Sequence, residues 1–71
     1  MMDGKRLRHV LVDKDRSVAS LARSIGIAPC TLGRKLDGET EFTAGEIVAI
    51  RDALGLSNND IQAIFFAEPV S

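Results

Sequence analysis

Between residues 21 and 32 the chain reads Leu-Ala-Arg-Ser-Ile-Gly-Ile-Ala-Pro-Cys-Thr-Leu, and six of these positions leave the backbone little choice. Gly26 stands where an apolar helical segment would end in a left-handed residue. Pro29 stands where the next helix would begin, at a position whose N–H has no helical partner. Two helices therefore meet across a turn of about four residues, which is the layout of a helix-turn-helix. Such a crossing needs a small residue beneath the second helix, and Ala22 supplies it. It also needs apolar wedges between the helices, and Leu21, Ile25, Ile27 and Leu32 supply those. Any one of these residues is commonplace. Leu21, Ala22, Ile25, Gly26, Ile27 and Leu32 together, at this spacing, are a specific signal.

The flanking sequence reads as three more helices and no strand. The expected elements run over about residues 4–12, 18–25, 29–36, 44–54 and 58–67. Asp3 is placed to cap the first, whose Leu7, Val10 and Leu11 share a face. Ser17 is placed to cap the second, with Leu21, Ala22 and Ile25 inward and Arg23 in the last turn. Thr43 and Glu46 form the capping-box pair of the fourth, with Phe42 and Ile47 as a hydrophobic staple. Leu56, Ser57, Asp60 and Ile61 repeat the arrangement for the fifth. Ile47, Ile50, Ala53 and Leu54 then share one face, ended by Gly55, and Ile61, Ile64 and Phe65 share another. The fifth helix should fray before Pro69. One helix cannot turn both Phe65 and Phe66 inward, so Phe66 is the expected outward one. The fold class is all-α: one compact five-helix domain of 71 residues.

Charge is unevenly divided. Residues 1–36 carry eight Lys and Arg against three Asp, a net +5. Residues 37–71 carry one Arg against seven acidic residues, a net −6. A basic half can meet a polyanion while an acidic half keeps the domain soluble. One cysteine excludes an internal disulfide or a cysteine-based metal site and fits a reducing cytosol. No apolar run approaches the roughly 20 residues of a membrane span, and no apolar h-region of a secretory leader follows the basic N-terminal residues. His9 stands alone, no phosphate loop is present, and no acid pair flanks a plausible pocket. No enzyme, cofactor, metal or small-molecule ligand is expected.

With these residues in view, the chain resembles the lambda-repressor-like DNA-binding family, the XRE-type group that includes phage repressors and Cro. The match is carried by SVASLARSIGIAPCTLGRKLDG for the second and third helices. EFTAGEIVAIRDALGLSNNDIQAIFF looks like the tail of small phage and prophage regulators of Gram-positive bacteria. The resemblance implies a transcriptional regulator in the bacterial cytosol, a repressor or Cro-like homodimer. It implies binding to a palindromic double-stranded operator with residues 29–36 in the major groove. By position it assigns base or groove contacts to Pro29, Cys30, Thr31, Gly33 and Arg34. Arg34 is suited to the bidentate reading of guanine. It assigns phosphate contacts to Ser17 and to backbone N–H groups near Gly38. Lys35 departs from the family pattern, and its ammonium is expected to reach the DNA backbone with its stem lying flat. By position Val18 is assigned the phosphate or base contact that the family often makes there with Gln; Asp37 stands where it often has Asn or Lys, and Lys35 where an apolar residue is usual. Phe66 and Val70 are the expected dimer contacts.

Blander assignments compete with these. Arg34 and Lys35 also fit a plain solvated face, and Arg6, Arg8, Lys14 and Arg16 fit general electrostatics. Cys30 reads more simply as a small residue near a base than as a redox switch. On the whole-chain level the competitor is a protein-interaction module, antitoxin-like or anti-repressor-like, built on the same fold.

Overall fold

The computed structural model describes residues 3–66, and among them all regular structure is helical. The order is α1 (Gly4–Asp13), α2 (Val18–Ile25), α3 (Pro29–Leu36), α4 (Ala44–Leu54) and α5 (Asn58–Phe65). The radius of gyration is 11.2 Å, close to the roughly 11 Å of a compact chain of this length. No helix among the described residues is long and apolar enough to cross a membrane.

Each helix starts where its capping residue stands. Asp3, Ser17, Thr43 and Ser57 all have extended backbones and accept from the N–H three residues on. The boxes at α4 and α5 are reciprocal: Glu46 accepts from Thr43 N–H at 2.8 Å, and Asp60 accepts from Ser57 N–H at 3.2 Å. Asp60, one carbon shorter than Glu, closes its box at the greater distance. The exception is α3, which has Pro29 in its first turn and no side-chain cap, since Ala28 offers none.

Helix ends are equally local. Gly26, Gly38 and Gly55 take left-handed backbones. After them the N–H of Ile27, Glu39 and Leu56 reaches back to Ala22, Arg34 and Arg51. The fourth stop, after α1, uses Asp15 instead, with φ 55°. Arg16 N–H bonds Leu11 and Asp15 N–H bonds Val12, a complete Schellman closure. A short polar side chain tolerates this conformation better than most.

Two boundaries differ from the sequence expectation. α1 continues to Asp13, because the left-handed stop falls at Asp15 rather than directly after Val12. α5 ends at Phe65, and Phe66 has already left helical backbone at φ −124° and ψ 26°. The fraying expected before Pro69, and the contact expected of Val70, lie outside the described residues.

The inward faces meet in one core. α1 contributes Leu7 and Leu11, α2 Leu21 and Ala22, α3 Leu32 and Leu36, α4 Ile50 and Leu54, and α5 Ile61, Ile64 and Phe65. The ring of Phe42, in the loop before α4, meets Phe65 edge-on at 5.2 Å, a favoured aromatic geometry. α2 is the central element, packed on both α3 and α4, while α1 bridges α3 and α5. The N–H of Asp3 bonds the Ile64 carbonyl and ties the start of α1 to α5.

Candidate functional site

The candidate surface is the outward side of α3 with the exposed start of α2. A three-residue turn, Gly26 to Ala28, separates the helices, and Ile27 packs against the core from within it. Ala22 is fully buried in the core, as a close helix crossing requires. Pro29, Cys30 and Arg34 are exposed, and Thr31 and Gly33 are half-buried. Pro29, Cys30 and Arg34 thus form the open side of this short helix, with Thr31 and Gly33 flanking them. Ser17 is exposed, but its hydroxyl oxygen already accepts from Ser20 N–H at 3.0 Å. Val18 does not take the DNA contact assigned to it: it is half-buried and packed against the core, so its side chain is committed inward.

Two further assignments are corrected. Lys35 does not face outward: it is 9 % exposed, the buried charged residue of the core. Its ammonium donates to Glu46 Oε1 and to the Glu41 carbonyl, both at 2.9 Å, and lies 5.7 Å from the Phe42 ring centre. The cause is helical spacing. Leu32, Lys35 and Leu36 lie at i, i+3 and i+4, so Lys35 shares the inward stripe. That signal was present in the sequence. At Gly38 the backbone N–H groups are spent within the protein. Gly38 donates to Lys35 and Glu39 to Arg34, closing the end of α3. They are not free to meet phosphate in this conformation.

Arg34 remains a free fork. Among the described residues its guanidinium has no ion pair and no side-chain hydrogen bond. Lys5, Arg6, Lys14 and Arg23 are likewise unpaired. Arg8 is held at 3.2 Å by Asp37, which caps α3. Arg51 is held at 3.4 Å by its neighbour Asp52. Arg16, assigned from sequence to general electrostatics, is engaged as well. It donates to the hydroxyls of Ser20 at 3.1 Å and Ser24 at 2.9 Å, and to the Ala53 carbonyl at 3.5 Å. It braces α2 against the end of α4.

Glu46 carries the resolved titration shift of this region. Burial alone would raise its pKa, but the Thr43 N–H and the Lys35 ammonium together outweigh it. The carboxyl is held below its ordinary value of 4.5.

Gly33 is the other telling residue. A Cβ built on it would meet nothing within 4 Å, so neither φ nor intramolecular packing calls for glycine there. Gly33→Ala is expected to raise stability by about 0.5–1 kcal/mol, the helical advantage of Ala, read as a higher urea midpoint.

Phe66 is 58 % exposed and Phe65 only 6 %, one outward and one inward as expected. Phe66 borders a cleft of about 350 Å³ whose apolar walls are Phe42, Ile47 and Phe65. No protein-family model and no curated protein matches the chain.

Proposed function

We propose that the chain is a sequence-specific double-stranded DNA-binding protein of helix-turn-helix type, with α3 entering the major groove. The observation that carries this reading is the outward side of α3. It presents a single unpartnered guanidinium, Arg34, on a surface otherwise made of small side chains and an open glycine. A helix of that shape approaches a groove floor closely and offers one bidentate donor to it. Gly33 then has a reason that folding does not supply: a close approach of backbone to DNA. The five unpartnered cations supply the sequence-independent attraction. The family resemblance adds the role of a small phage-type repressor or Cro-like regulator in a bacterial cytosol. It also adds a homodimer, for which Phe66 is the exposed apolar candidate.

The test is selection of duplexes from a random pool, followed by gel-shift titration at several salt concentrations. The chain should prefer a palindrome with half-sites roughly 34 Å apart and lose affinity steeply with salt. Arg34→Ala should cost about 1–3 kcal/mol on the selected site and relax preference at one base pair. Binding without sequence preference rejects the proposal.

A protein-interaction role on the same fold is favoured by one feature, the exposed Phe66 beside its apolar cleft, next to the acidic loop of Asp37, Glu39 and Glu41. A stoichiometric heterologous protein partner recovered with no DNA shift selects that role instead.

A further inference from the structure

We propose that Lys35 is a positioning residue, one that sets the rotation of α3 so that Arg34 reaches a base, and touches no nucleic acid itself. The proposal rests on the DNA-binding reading above. α3 is eight residues long, has no side-chain cap and carries Gly33 near its middle, so its own backbone holds it weakly. Its buried apolar side chains are Leu32 and Leu36, one helical turn apart. Two attachments along one line resist sliding better than they resist rotation about that line. Lys35 adds the third, off that line, through its two 2.9 Å bonds to Glu46 and to the Glu41 carbonyl.

The anchor is itself fixed. The oxygen of Glu46 that receives Lys35 also receives Thr43 N–H at 2.8 Å, within the capping box of α4. The clamp thus refers the rotation of α3 to the start of α4, a separate helix. Adjacent residues on a helix diverge by about 100°. Any rotation that lets Lys35 out to water therefore swings Arg34 through the same angle. A bidentate contact to a base edge depends on orientation in a way that attraction to phosphate does not.

The experiment titrates the wild type, Lys35→Met and Arg34→Ala onto the selected duplex and an unrelated one, across a salt series. The temperature is one at which circular dichroism shows every variant fully folded. Lys35→Met is expected to lose about tenfold on the selected duplex and nothing on the unrelated one, keeping the wild-type salt slope on both. Combined with Arg34→Ala it should cost less than the two losses added, because the fork is already misaligned. An equal loss on both duplexes, with a slope shallower by about one, means a phosphate contact and overturns the proposal. Wild-type discrimination in Lys35→Met means a purely stabilising role and overturns it too. Should Lys35→Met not fold, Glu46→Gln takes its place, since it keeps the shape and the cap bonds but loses the charge. The same pattern at smaller size is expected, and unchanged discrimination overturns the proposal. A wild type that does not discriminate between the duplexes overturns the DNA-binding reading and the positioning role together, which the variant outcomes alone do not.

Discussion

Lys35→Met lowers the stability of the domain by about 2 kcal/mol, and its Tm by roughly 10 °C. The methionine keeps most of the apolar length of this buried side chain. What disappears is the ammonium, and Glu46 is left only 17 % exposed in its side chain with its carboxylate short of a countercharge. Removing one member of a buried pair costs more than the pair was worth, because the survivor still pays for desolvation. The Glu41 carbonyl also loses its donor. The pH dependence checks the mechanism. In the wild type the Glu46 carboxyl titrates below its ordinary value. Its contribution to stability is therefore fully present above about pH 4.5 and is lost as pH falls through the lower, folded-state pKa. With Lys35 gone, burial is less opposed, the folded pKa rises, and the acid-side loss of this contribution shrinks. Thermal melts at pH 7 and at pH 3 should show the two proteins closer together at the lower pH. A gap of the same size at both pH values contradicts the mechanism.

Gly4→Ala destabilises by about 1–3 kcal/mol. The substitution is chemically identical to Gly33→Ala, and its sign is opposite. A Cβ at Gly4 would overlap the carbonyl oxygen of Leu36, a backbone atom at the end of α3. No side chain can rotate aside to make room. Either α1 lifts from α3, or the first turn of α1 unwinds and releases the Asp3 bond to the Ile64 carbonyl. Urea denaturation of both variants is the measurement: the midpoint should fall for position 4 and rise for position 33. A rise at both positions removes the claimed contact between α1 and α3.

The elements were largely legible because their signals are local. Each of Asp3, Ser17, Thr43 and Ser57 announces a helix start through a bond that spans three residues, and Gly26 and Gly55 announce stops the same way. Phe65 is turned inward by its helical spacing from Ile61 and Ile64, and Phe66 stands outward just past the end of α5. What escaped were the relations between helices. That Gly4 is needed for space depends on where α3 ends, and no local pattern holds that information. Arg16 and Arg8 read as free charge until the serines of α2 and Asp37 stand beside them. Lys35 is a different failure. Its inward register was there in the spacing from Leu32 to Leu36 and in the apolar residue usual at its place in the family, but its charge outweighed both. A lysine can occupy a core register when a neighbouring cap supplies a carboxylate, and Glu46 was already identified for that other task.

The helix ends have a consequence for how the chain reaches this state. Apart from the uncapped start of α3, each start and stop among the described residues is closed by bonds spanning five residues or fewer. Almost no loop entropy is spent before the helix boundaries are defined. The search that remains is the docking of short segments, marginal as helices alone, about α2, and helical domains of such local topology fold in microseconds to milliseconds. Trimming the core at Ile64 or Leu54 should then chiefly speed unfolding. Cap substitutions such as Ser17→Ala are then expected to slow folding as well as to destabilise, which stopped-flow refolding measures.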